Sequence, residues 1–182
     1  MNYKLTISYD GTDFFGWQKQ KEGRTVQQDI EKALIKIFKL NSISLIGSGR
    51  TDSGVHALDQ TANFNIETNM NEEQIRLALN SILKTDIHIK KCEIVDNKFH
   101  SRYSALKREY IYKINQNYSP FVRKYSWHYN EKFKKDLLIE SSQFILGTHD
   151  FSNFCKSSSR KEDNSCEVFE SRWNFEKREI SY

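Results

Sequence analysis

No stretch of this chain is apolar for long enough to cross a bilayer. The first ten residues, MNYKLTISYD, alternate apolar with polar side chains instead of running from a basic segment into a hydrophobic one. A cytoplasmic protein with neither membrane span nor secretory leader is the expectation. Cysteine is scarce: Cys92, Cys155 and Cys166 make an odd set of three without paired spacing, and the five histidines are scattered. That pattern indicates neither a disulfide framework nor a zinc site, so no metal is expected and the thiols read as reduced structural residues. Proline occurs once and glycine seven times, a composition that is neither fibrous nor low-complexity.

What is present suits a folded chain. At 182 residues it can bury a core and form one or two small domains. The net charge of +4 and pI near 8.8 are compatible with a nucleic-acid partner without specifying one. Aromatic residues interleave with cations in DFFGWQKQK and FHSRYSALKREYIYK, the pattern expected where bases stack and phosphates pair. Most of the Phe and Tyr residues nevertheless serve as ordinary core.

Periodicity divides the chain into elements. Tyr3, Leu5, Ile7 and Tyr9 alternate as a half-buried strand. A Gly-, Phe- and Trp-containing loop runs from Asp10 to Arg24, and Thr25 with Gln28 spells a capping box for a helix reaching about Leu40. A strand at Ile43 to Ile46 and another through Ala62, Phe64 and Ile66 bracket a glycine-rich loop. Asn71 can cap a helix bearing Ile75, Leu79 and Leu83, and a strand follows at Ile87 to Ile94. The order β-α-β-β-α-β is the ferredoxin-like, or RRM-like, arrangement. The second half starts the pattern again: a strand near Lys107 to Asn115, a helix from Phe133 to Ile145 ending at Gly147, the polar SSSRKED, then strands near Cys166 to Asn174 and Glu176 to Tyr182. The expected fold is α+β, an antiparallel sheet with helices on one face. It comprises two ferredoxin-like halves, 1–105 carrying the glycine loop and 106–182 lacking its last helix and strand.

The chemistry concentrates in GSGRTDSGVHALDQTANF, Gly47 to Phe64, which holds three of the seven glycines. An isolated Asp beside Gly most often caps a turn. A carboxylate on such a loop is ionised at neutral pH unless buried, so Asp52 can also serve as nucleophile or base. Arg50 can pair with it or with a phosphate. The nearest other carboxylate, Asp59, is seven residues on, which argues against paired-carboxylate glycosidase chemistry. Arg102, Lys107, Arg108 and Lys113 surround Tyr103, Tyr110 and Tyr112, either as a phosphate-and-base surface or as a solvated tyrosine ladder. The FFGWQKQ loop, with Gln18, either closes over a ligand or tucks Trp17 against the core. His56 reads as a structural hydrogen-bonder, and His149 and Asp150 as braces of the turn after their helix.

In order and spacing, YDGTDFFGWQKQ, TVQQDIEKAL, GSGRTDSGVHALDQTANF, FHSRYSALKREYIYKI and LGTHDFSNF resemble the successive motifs of the TruA family of tRNA pseudouridine synthases. The resemblance runs from Tyr3 to about Trp173, with GRTDSGVHA its most specific part. It implies isomerisation of uridine to pseudouridine at positions 38, 39 and 40 of the tRNA anticodon stem-loop, by a homodimer using neither cofactor nor metal. It makes Asp52 the catalytic residue, Tyr110 the contact to the target uridine, and Arg50 a residue that holds the RNA and displaces the base. Gln18, Arg102, Lys107 and Arg108 are the further expected RNA contacts. Family members continue into a segment with a Phe-Leu pair and a Met-Val-Arg motif whose Arg pairs with the catalytic Asp, and nothing in this chain matches it. A shortened chain is therefore expected. A second reading keeps the fold and RNA surface without catalysis, and a third is an unrelated ferredoxin-like enzyme whose glycine loop binds a phosphorylated small molecule.

Overall fold

A computed structural model describes residues 1–155, 162–175 and 180–181. The chain divides into two compact units, Met1–Arg108 and Glu109–Tyr182. The first contains β1 (Asn2–Tyr9), α1 (Val26–Phe38), β2 (Ile46–Gly47), β3 (Ala57–Asn65), α2 (Glu72–Ile82) and β4 (Ile87–Val95). Its four strands form an antiparallel sheet in the order β2-β3-β1-β4. The alternation in β1 does what its period requires: Tyr3, Leu5, Ile7 and Tyr9 are buried, whereas Lys4, Thr6 and Ser8 are only half-buried. The buried set joins Ala62 and Phe64 of β3, Ile87 and Ile89 of β4, Val26, Ile30 and Leu34 of α1, and Ile75 and Leu79 of α2 in one core. The Tyr3 and Phe64 rings stack within it at 5.5 Å.

Local chemistry sets the helix ends. Asn71 Oδ1 accepts from Gln74 N and Gln74 Oε1 accepts from Asn71 N, each at 2.9 Å, a complete capping box. The Thr25–Gln28 pair forms one half of such a box among the described residues, with Thr25 Oγ1 accepting from Gln28 N at 3.4 Å. Helix α1 stops at Phe38, short of Leu40, because Lys39 turns into the left-handed region (φ 53°) and donates its N–H to Ile35 O. β2 is displaced from the expected Ile43 to Ile46. The reason lies at Leu45, whose backbone is bonded by side chains of α1: Leu45 N donates to Glu31 Oε1 at 3.2 Å and Leu45 O accepts from Gln27 Nε2 at 2.9 Å. Those bonds take the place of a strand ladder.

The second unit holds β5 (Lys113–Asn115), β6 (Trp127–His128), α3 (Lys135–Gln143), β7 (Gly147–Asp150), a 3-10 turn (Ser152–Phe154), β8 (Ser165–Val168), β9 (Asn174–Phe175) and β10 (Ile180–Ser181). One sheet runs β6-β5-β10-β9, with β5 and β6 parallel, and β7 pairs with β8 antiparallel. The strand expected over Lys107 to Asn115 contracts to its last three residues. Tyr110, Ile111 and Tyr112 all face solvent, so no alternation of burial supports a longer strand there. α3 starts after Phe133, with Lys134 as an N-cap that supplies no side-chain bond, and it ends with Phe144 as C-cap. Gly147, expected to terminate that helix, adopts φ +92° but opens β7. The single late strand expected to Asn174 is broken into β8 and β9. The strand expected over Glu176 to Tyr182 lies outside the described residues except for Ile180–Ser181, and most of the SSSRKED segment lies outside them as well.

Candidate active site

The loop between β2 and β3 is closed at its base by Ser48 N, which donates to Thr61 O at 2.8 Å. Gln60 stands on β3 opposite the buried Ile7, and its amide is turned to the loop. Its Nε2 donates to Gly49 O at 2.7 Å and its Oε1 accepts from Ser48 Oγ at 3.1 Å. Arg108 braces the same strand end, with Nη2 donating to Ser48 O at 2.7 Å and to Arg102 O at 3.5 Å. Gly47 is required by proximity. A Cβ there would stand 2.5 Å from Trp17 Nε1, so the buried indole occupies space that only glycine leaves open.

The tip of the loop is tied to the segment after β1. Trp17 N donates to Thr51 O at 3.1 Å, while Gly54 N and Ser53 Oγ donate to Phe14 O at 3.2 and 3.1 Å. Gly16 has φ +88°, and a Cβ on it would meet Thr51 O at 2.4 Å. Tyr9 Oη and Thr51 Oγ1 share a hydrogen bond of 2.8 Å. Burial pushes the Tyr9 phenol above its ordinary range, with the Thr51 bond pulling weakly the other way. His56 Nδ1 accepts from Gly11 N at 3.1 Å and lies 3.1 Å from Asp10 Oδ1, the structural bonding role expected of it.

The tying segment is itself anchored from α1 and from Asp86, the residue before β4. Gln27 Oε1 accepts from Lys19 N at 2.8 Å, and the buried Glu31 takes Lys19 Nζ at 3.0 Å. Arg24 grips both oxygens of Asp86, bonds Asp29 at 2.7 Å, and lies over the Phe14 ring at 4.2 Å. Its hydrogen bond to Asp86 is the main cause that raises the guanidinium further above its ordinary value.

On this frame Asp52 is exposed, and its carboxylate has no hydrogen-bond or ion-pair partner among the described residues. Arg50 is likewise exposed, two residues away on the same loop. Trp17 is tucked into the core, which settles one of the two readings of its loop, while Gln18 beyond it is exposed. Arg102, Lys107 and Arg108 are exposed, with the Arg102 guanidinium 5.8 Å from the Tyr103 ring centre. The turn that carries Arg102 and Tyr103 is held by amides. Asn2 Nδ2 donates to Asp96 O and Phe99 O at 3.0 and 2.9 Å, and Asn63 Oδ1 accepts from Ser101 N at 2.9 Å. Tyr110, 76% exposed, belongs to the second unit. In that unit Asp150 Oδ1 accepts from Ser152 N at 2.9 Å, bracing the turn that follows β7, and His149 Nε2 meets Leu146 O at 2.8 Å. Among the described residues no three His, Cys, Asp or Glu side chains are grouped to hold a metal, and no helix is long and apolar enough to cross a membrane.

The stretch that carries this loop is similar to known proteins. The model of a family described as tRNA pseudouridine synthase matches residues 5–104. The chain belongs to the tRNA pseudouridine synthase family. Its relatives include the tRNA pseudouridine synthase A of Limosilactobacillus reuteri (strain DSM 20016), 46% identical over 89% of this chain and 65% of the relative. Those of Dictyoglomus turgidum and Dictyoglomus thermophilum are 44% and 45% identical over 100% of this chain and 75% of their own length. The chain thus spans from about two thirds to three quarters of these curated relatives. Sequence reasoning offered Asp52 and Arg50 as candidates but gave no part to Tyr9 and Gln60, which bond the loop, or to Glu31, which holds the segment that ties it. Gln60, a polar residue two positions before Ala62 on the same alternating face, carried a signal; Tyr9 looked like any other core aromatic.

Proposed function

We propose that the protein is a tRNA pseudouridine synthase of the TruA type, an isomerase that converts uridine to pseudouridine at positions 38, 39 and 40 of the anticodon stem-loop. Asp52 is its catalytic residue. The supporting observation is the pairing of family membership with the presentation of Asp52, an exposed carboxylate on a loop whose backbone is fixed on both sides. The reaction breaks the N1 to C1′ glycosidic bond, turns the uracil and joins C5 to C1′; the C5 proton is released and the freed N1 takes one up, so that the composition is unchanged. A carboxylate can serve by attack at C1′, by addition at C6 or by removing the C2′ proton. The target base leaves its stack at a cost of a few kcal/mol, and stacking on Tyr110 offsets part of that. Arg50, Gln18, Arg102, Lys107 and Arg108 contact the RNA, the cations through its backbone.

The same reading assigns a ferredoxin-like half to 1–105 and a second half to 106–182. The strand order β2-β3-β1-β4 with two intervening helices supports the first assignment. A cytoplasmic homodimer, as in the wider family, completes the proposal; sedimentation at working concentration tests the dimer. Tritium release from stem-loop RNA labelled at uridine C5 tests the function. Release at catalytic enzyme concentration is expected. Folded protein that binds the RNA and releases none would instead mark a non-catalytic RNA-binding module.

A further inference from the structure

Asp52 is held through its backbone and not by a partner to its own carboxylate, so its aim depends on what fixes residue 51. Three features converge there: Trp17 N on Thr51 O, the absence of a Cβ at Gly16, and Tyr9 Oη on Thr51 Oγ1 at 2.8 Å. Tyr9 is the last residue of β1, 5% exposed, with its ring 6.1 Å from that of Trp17. Beside it the β1–β3 register slips, so that Ile7 faces Gln60 while Tyr9 faces Ala57. Such bulges re-aim a side chain next to a site. Packing alone does not call for the hydroxyl, because the other buried positions on this face of β1 include Leu5 and Ile7. Burial pushes the phenol above its ordinary range, and the bond to Thr51 Oγ1 forms whichever hydroxyl donates.

We infer that Tyr9 is a positioning residue for Asp52, acting through its hydrogen bond to Thr51; this rests on Asp52 being the reacting carboxylate. Tyr9→Phe removes the hydroxyl and keeps the ring. Turnover is expected to fall about ten- to a hundredfold in kcat, with KM for the stem-loop RNA and the melting temperature unchanged. Thr51→Val should reproduce the loss, Thr51→Ser should restore turnover, and the Tyr9→Phe/Thr51→Val double variant should lose no more than either single one. Amide hydrogen exchange gives a readout that needs no activity: Tyr9→Phe should speed exchange at Ser53 to Val55 and leave β1 and β3 unaltered. Full kcat in Tyr9→Phe, additive losses, a change confined to KM, or unchanged loop exchange would each overturn the inference. Absence of turnover in the unaltered protein would remove the reading of Asp52 itself, and the exchange data would still decide whether Tyr9 holds the loop.

Discussion

Single residues in the first unit divide into those that present chemistry and those that hold the presenters in place. Glu31 belongs to the second group, a 5% exposed carboxylate that satisfies Leu45 N from one oxygen and Lys19 Nζ from the other. Glu31→Ala leaves a buried N–H without its acceptor, which costs about 1–3 kcal/mol. Glu31→Gln keeps an oxygen for Leu45 and should lose less; urea unfolding of the two variants checks the order. Cys92 is buried, and that burial pushes its thiol up to about 12, with the carboxylates of Glu72 and Glu93 adding to the effect. The sign follows from linkage. The fold disfavours the thiolate, so the stability this thiol contributes is complete below its unfolded value of about 8.5 and drains away as pH rises above it. Iodoacetamide at mildly alkaline pH should modify the exposed Cys166 first and Cys92 only after unfolding, as peptide mass spectrometry would show. Asp52 itself was legible as a residue type in a motif. Its presentation was not, because it depends on Phe14, Gly16 and Trp17, far from it in sequence.

At the scale of elements, period and caps carried most of the first unit. The alternation in β1 and the Asn71 cap were readable because both depend on neighbours within a few residues. The shortened β2 was not, since it depends on Gln27 and Glu31 reaching across from α1. The end of α1 offers a direct test. Lys39 holds a left-handed conformation that glycine adopts without steric cost, so Lys39→Gly should raise stability by about 0.5–1 kcal/mol. An unchanged or lowered unfolding midpoint would contradict this cap. Gly16→Ala makes the opposite case. Its φ of +88° and the Thr51 carbonyl 2.4 Å from a built Cβ leave no room, so the variant should separate the two loops and lose both stability and turnover. In the second unit the elements are short, and there the alternation of Tyr110, Tyr112 and Ile114 proved a poor guide. A pattern of residue types becomes a strand only where a partner backbone lies alongside, and the described partners reach only Lys113 to Asn115.

For the whole molecule, the two units differ in how much they bury. Met1–Arg108 contains the one extended core, whereas among the described residues of Glu109–Tyr182 only Ile114 and Ser142 are buried. Native-state hydrogen exchange should therefore be slowest at the β1 amides and much faster throughout the second unit. Arg50, Arg102 and Lys107 are exposed cations; if they contact the RNA as proposed, affinity for the stem-loop should fall with added salt. Replacing any one phosphate contact by Ala should lower the slope of log affinity against log salt by about 1. The central claim is narrower than either property: the exposed carboxylate of Asp52 performs the isomerisation. Asp52→Asn changes an oxygen to an amide nitrogen on a side chain with no described partner, so folding and RNA affinity should persist. The decisive measurement is tritium release from C5-labelled stem-loop RNA by this variant beside the unaltered protein. Release by the unaltered protein and none by Asp52→Asn, at equal RNA binding, is the predicted result; equal release from both would contradict the account.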